Sequence, residues 1–290
     1  MANVNTLLAA GSDPDPLAAG ERRAAVLAWL RSAIGEPVLR HLGHPDPPPP
    51  GTPPPRVWWM PTGPLSLLPI HAAALDHVVS SYTPTVATLR LHRARAGACS
   101  DRRALVVGVG AAAGLPRLRR ATGEARNVAR RFEAEPLIDA AATPTAIRAA
   151  LPDATHAHFA CHAVTDAADP GRGRLELYGG SLSVPELAAL SVPRGELAYL
   201  SACATAFGGT VLLDESIHVA SGLQLAGFRH VVGTLWPVSD DAAPDVAEAF
   251  YAAVDAGADP AHALHDVVTG LRHDHPAAIA LWASHVHFGP

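Results

Sequence analysis

The chain has 290 residues, 49% of them apolar, and carries a net charge of −5 from 27 acidic and 22 basic residues, every basic one an arginine. That length buries a core sufficient for one large α/β domain or two modest ones, and the charge balance argues against a dedicated nucleic-acid or anionic-membrane surface. The absence of lysine removes P-loop, Schiff-base and Ser–Lys chemistry together, and no run of about 18 apolar residues offers a membrane span.

In chain order, residues 16–43 place Val26, Leu27, Leu30 and Ile34 at helical spacing and read as a helix or helix pair. The run PDPPPPGTPPP, Pro45 to Pro55, interrupts regular structure and reads as an extended spacer. The expected organisation is therefore a helical segment over 1–44, the spacer over 45–55 and one domain over 56–290. In that domain, strands are expected at Arg56–Met60, His77–Tyr82, Ala104–Val109, His156–Cys161, Leu197–Ser201 and His230–Trp236. Helices are expected near 85–95, 121–132, 144–151, 215–226, 240–255 and 260–272. Such alternation implies a mostly parallel sheet sandwiched between α-helices, with chemistry beyond the carboxyl ends of the strands.

Two of those strand ends carry reactive side chains. The stretch LAYLSACATAFGG, Leu197 to Gly209, delivers Cys203 just past a buried strand and follows it with small residues that let a substrate backbone approach. The preceding strand ends in His162. A cysteine needs a proton partner to act as nucleophile, and histidine is the usual one. Cys161 precedes His162 along the strand and is expected to point to the opposite face as a buried structural thiol. With Cys99, the cysteines number three, which leaves at least one thiol outside any disulfide.

HFACHA from His158, LSACATAFGG from Leu200, Asp214-Glu215, AGFRHVVGTLWPVSD from Ala226 and LWA from Leu281 together resemble the CHAT domain, a caspase-like family of clan CD cysteine peptidases related to separase. WMPTGPLSLLPIHAA from Trp59, SYTPT from Ser81, ALVVG from Ala104 and the later Glu124-Ala match its other segments. The resemblance runs from about residue 20 to 290 and implies a caspase-like α/β sandwich with a dyad carried by His162 and Cys203. Departures from the family pattern are Ala163, where a glycine is usual, and Ala204, where an acidic residue is common. The backbone N–H groups of Cys203 and Ala163 are the expected oxyanion donors. Trp236 and Asp240 of TLWPVSD are candidates to line the pocket for the substrate side chain beside the cut, with a basic preference; Ser239-Asp240 equally reads as a cap for the following helix. Asp214-Glu215 reads as helix-opening carboxylates.

Other patterns carry less. His156 and His158 near Cys161 and His162 lack a closed four-ligand spacing, so no metal is expected. Gly108-Val-Gly-Ala-Ala-Ala113 fits a relaxed dinucleotide loop, but Leu115-Pro116 follows it where a helix should begin, so no cofactor is expected. The reading is a cytoplasmic cysteine endopeptidase acting on a protein substrate, contacting neither nucleic acid nor membrane. Its control is expected to come from a regulatory partner or helical-repeat sensor, through the loops 163–175 and 204–214. Either the chain is a fragment or that regulator is a separate protein. The alternative is a catalytically silent caspase-like module that binds peptide in its cleft.

Overall fold

The computed structural model describes residues 2–11, 13, 15–95, 101–164, 173–201 and 219–290. Cys99, Cys203, Ala204, Asp214 and Glu215 therefore lie outside the described residues, as do most of the two loops expected to carry regulation. The strands are β1 (Arg56–Trp59), β2 (Val79–Tyr82), β3 (Ala104–Gly108), β4 (Leu137–Ile138), β5 (His156–Ala160), β6 (His162–Val164), β7 (Arg174–Leu177), β8 (Gly180–Ser183), β9 (Leu197–Leu200), β10 (His230–Thr234) and β11 (His285–Phe288). The helices are α1 (Ala2–Gly11), α2 (Pro16–Leu30), α3 (Glu36–His41), α4 (Ile70–Ala73), α5 (Val86–Ala94), α6 (Ala121–Arg131), α7 (Pro144–Ala150), α8 (Val184–Ala189), α9 (Val219–Ala226), α10 (Ala243–Asp255), α11 (Pro260–Asp274) and α12 (Ile279–Trp282). Among the described residues no helix is long and apolar enough to cross a membrane.

The large sheet has the order β1-β2-β11-β10-β9-β5-β3-β4, and all its pairings are parallel except β10 with β11. This is the expected mostly parallel α/β sandwich of caspase-like type. The register aligns Leu105, Ala157, Ala198 and Val231 on one face and Val106, His158, Tyr199 and Val232 on the other. The first face packs with Ile147, Leu187 and Leu223 from α7, α8 and α9. The second packs with Val128, Phe250, Leu264 and Trp282 from α6, α10, α11 and α12. With both faces covered, the central strands are apolar nearly throughout rather than alternating, and a fully buried side chain such as Phe159 contributes about 1.5–3 kcal/mol.

Local chemistry fixes the helix starts. The Asp15 side chain accepts from Leu17 N with Pro16 in the first turn of α2, and Ser183 and Glu186 form a reciprocal capping box on α8. A π-helical turn at Arg31–Gly35 joins α2 to α3. Val26, Leu30 and Leu39 enter the same buried cluster as Val57 and Trp59, so the segment preceding the prolines packs directly on the sheet. Residues 45–55 hold no helix or strand and turn at Pro49–Thr52, where Thr52 N donates to Pro49 O.

Gly108 ends β3 directly beneath α6: a Cβ placed there would lie 2.6 Å from Ala125 Cβ and 2.9 Å from Ile138 Cδ1. Its glycine thus serves close helix–sheet packing. The chain then runs irregularly from 111 to 120 before α6 begins at Ala121, as the proline at 116 led one to expect. A second, antiparallel sheet, β6-β7-β8, branches off at Cys161, where the chain leaves β5.

Candidate active site

β5 and β9 are adjacent and parallel, and Phe159 pairs with Leu200. Ser201 N donates to Phe159 O at 3.0 Å, extending the ladder one residue past β9. His162 stands three residues beyond Phe159 and Cys203 three residues beyond Leu200, so the two chain segments leave matched positions of neighbouring strands.

His162 opens β6 and is buried. Its Nε2 lies 2.6 Å from the carbonyl oxygen of Pro116. A carbonyl only accepts, so Nε2–H donates to it, which leaves Nδ1 as the ring nitrogen for proton exchange. The sequence offered no third member for a triad; the partner is a backbone carbonyl, which no side-chain pattern announces. Ala163 packs half-buried against the main core. Among the described non-glycine residues only Glu133 and Asp139 have positive φ, so the position usually held by glycine makes no left-handed demand here. Cys161 is fully buried within the core on the Phe159 face, as expected of a structural thiol.

The segment after β10 differs in detail from its sequence expectation. Trp236 donates Nε1 to Ala280 O at 2.8 Å and packs between the two core clusters. Ser239 closes the turn before the following helix, its Oγ accepting from Asp241 N and its carbonyl from Ala242 N and Ala243 N; the helix starts at Ala243 with Ala242 as N-cap and no side-chain cap bond. Asp240 instead turns away: Oδ2 accepts from Arg119 N at 2.6 Å and Arg120 N at 3.0 Å. The carboxylate expected to line the substrate pocket therefore has one oxygen engaged by two backbone amides. Asp240 still lines a pocket, together with Leu118, Glu124, Ser201, Thr234 and His285.

Glu124 is buried on α6, and its Oε1 lies 3.1 Å from His158 Nε2. His158 also meets the Tyr251 hydroxyl through Nδ1 at 3.2 Å and stacks on Tyr199 with ring centroids 5.4 Å apart. His156 bonds Thr155 Oγ1 through Nδ1 at 2.9 Å and lies against Phe132. Both histidines weighed as metal ligands are thus held by residues of the fold. The role of Glu124 was not assigned from sequence beyond its place in a family segment.

The CHAT domain family model matches residues 24–290. Among solved structures, the separase–securin complex of Saccharomyces cerevisiae is similar in two determinations: a TM-score of 0.57 at 13% identity, covering 77% of this chain and 14% of that one, and 0.55 at 11% identity, covering 80% and 15%. The complex of pro- and mature domains of Porphyromonas gingivalis RgpB gives a TM-score of 0.50 at 12% identity, covering 74% of this chain and 56% of that one. The chain thus spans about a seventh of the separase chain and little more than half of the RgpB chain, and at these identities the likeness is one of fold. No curated protein matches the sequence. With a family model matching nearly its whole length and a caspase-like cysteine peptidase fold, the chain belongs to the CHAT domain family.

Proposed function

We propose that the chain is a cysteine endopeptidase that cleaves a protein substrate with a dyad of His162 and Cys203. The observation that supports the reading is the register of β5 against β9, adjacent strands whose ends lie three residues or fewer before His162 and Cys203 in the sequence, with His162 held at Nε2 by Pro116. In this reading Nδ1 accepts the Cys203 thiol proton, and the thiolate attacks the scissile carbonyl carbon, forming the C–S bond and an oxyanion. The backbone N–H groups of Ala163 and Cys203 receive that oxyanion, a contribution typically on the order of 10²–10³ in rate per donor. Collapse breaks the C–N bond as the Nδ1 proton passes to the departing amine. Nδ1 then takes a proton from water, whose hydroxide attacks the thioester and releases the thiolate to be reprotonated.

A preference for a basic residue before the cut is supported by the two carboxylates, Glu124 and Asp240, that line the pocket beside Ser201. Control by a partner is supported by the separase relative, which is crystallised with securin. Labelling with a peptidyl acyloxymethyl ketone tests the reading: the modified residue is expected to be Cys203, and modification at Cys161 or Cys99, or none at all, overturns it.

A further inference from the structure

Asp240 and Pro116 belong to different parts of the chain but are linked through the segment 111–120, whose Arg119 and Arg120 amides donate to Asp240. Asp240 follows β10, the neighbour of β9, from which the Cys203 segment departs. Arg119 and Arg120, whose amides it holds, lie three and four residues past Pro116 in the segment 111–120. That segment has a second anchor, Leu118 N to Gly110 O at 2.9 Å, and two residues before it the Pro116 carbonyl meets His162. Three residues of chain reach at most about 10 Å, so the Asp240 clamp limits how far the Pro116 carbonyl can move.

The helix that Asp240 precedes makes no use of its carboxylate: its N-cap is Ala242 and it carries no side-chain cap bond. A carboxylate accepting two backbone N–H groups is a charge-assisted and directional hold. Building on the dyad reading, we infer that Asp240 is a positioning residue: through the amides of Arg119 and Arg120 it fixes the Pro116 carbonyl, and through that carbonyl the tautomer and orientation of His162. This deepens the proposed mechanism by assigning Asp240 a task on the histidine side of the site rather than only beside the substrate. Loss of the clamp leaves the imidazole present but mis-set, and mis-setting a proton-transfer group by about 1 Å costs up to about a hundredfold in rate.

The test reads His162 directly. In a Cys203→Ala chain labelled with ¹⁵N at histidine, Nε2–H of His162 is expected to give a slowly exchanging proton resonance and the nitrogen shifts of the Nε2–H tautomer. Asp240→Ala on that background is expected to broaden or remove the resonance, whereas Asp240→Asn, whose side-chain oxygen still accepts, is expected to retain it. Asp240→Glu, which displaces the carboxylate by one methylene, is expected to behave as Asp240→Ala and replaces it should the alanine variant not fold. A resonance that survives in the alanine and glutamate variants overturns the inference.

With Cys203 present, Asp240→Ala is expected to lower kcat about ten- to a hundredfold on non-basic as well as basic peptides, with KM for the non-basic peptides changed less than about threefold and Asp240→Asn close to the parent on those peptides. A loss confined to KM for basic peptides overturns the positioning role in favour of direct substrate recognition. Should the parent itself turn over no peptide, the failure is that of the peptidase reading, and the His162 resonance alone decides the inference.

Discussion

His162 Nε2 lies 2.6 Å from the Pro116 carbonyl oxygen, joining the start of β6 to a loop 46 residues earlier in the chain. This bond makes Nδ1 the nitrogen available for proton transfer and gives the dyad its first prediction. His162→Ala and Cys203→Ala are expected to lower peptide cleavage by at least about 10³-fold while leaving far-UV circular dichroism unchanged. Cys161→Ser introduces a hydroxyl into a fully buried site and is expected to destabilise the chain by about 1–3 kcal/mol while activity persists. Loss of activity in a folded Cys161→Ser variant would contradict this division of roles.

The loop that bears Pro116 depends on the closeness of β3 to α6. Gly108→Ala would place a methyl 2.6 Å from Ala125 Cβ and 3.2 Å from Ala121 O, so α6 or the strand must shift. Overpacking of this kind typically costs about 1–3 kcal/mol. Urea unfolding is expected to show a lowered midpoint, and cleavage to fall more than the residual folded fraction explains. A variant as stable as the parent would mean that α6 relaxes freely.

The parallel core was legible because Ala104–Gly108, His156–Ala160, Leu197–Leu200 and His230–Thr234 are short apolar runs bounded by turn residues. β11 was not, because His285-Val-His-Phe reads as a polar tail until its partners are known. His287 Nδ1 meets Ser81 Oγ at 2.8 Å and its Nε2 meets His230 Nδ1 at 3.0 Å, contacts that only the folded chain creates. The hairpin β7–β8, with Arg174 and Glu176 alternating against Leu175 and Leu177, was passed over because its second strand, Gly-Ser-Leu-Ser, lacks any β-branched residue. The two residues proposed as a dyad were legible in the sequence because each follows a short apolar strand. Their supports were not, since Pro116 O and the amides of Arg119 and Arg120 are backbone groups carried by every sequence alike.

The same buried histidines predict how stability follows pH. Burial lowers His71 to about 3, helped by the nearby His285, and lowers His285 to about 4. His230 and His287 are lowered as well, burial being the main cause for each. In the unfolded chain these rings protonate below about 6.5, while the folded chain keeps them neutral to near 4. The unfolded state thus binds more protons in that window, so stability is full above about 6.5 and is lost as pH falls towards 4. Each such ring contributes a slope on the order of 1 kcal/mol per pH unit. Thermal midpoints are expected to drop steeply between pH 6.5 and 4, and His285→Asn to flatten the drop whatever its effect at neutral pH. Midpoints that hold constant over this window would show that the rings titrate normally in the folded chain.

Control by a partner predicts that the isolated chain is slow. The expected result is weak cleavage of peptide libraries by the purified chain and slow labelling of Cys203, both accelerated by a cognate partner. Full activity of the purified chain without additions would remove regulation from the proposal.

The proposed basic preference rests on the pocket beside Ser201. Glu124 is buried there with its Oε1 near His158, Asp240 has one oxygen spent on backbone amides, and Leu118 and Val238 add apolar lining. An arginine or lysine entering that space gains a charge-assisted hydrogen bond typically worth about 1.5–3 kcal/mol, or roughly ten- to a hundredfold in kcat/KM. A positional-scanning library is expected to return Arg or Lys immediately before the cut. Glu124→Gln keeps the shape and removes the charge, and is expected to reduce that preference about tenfold or more, with labelling of Cys203 by a small neutral alkylator unchanged. Asp240→Asn is expected to reduce it less, because its amide-bonded oxygen is retained. A library that favours acidic or large apolar residues, or a Glu124→Gln variant with the parent's selectivity, would leave Glu124 as a buried partner of His158 and place substrate recognition elsewhere.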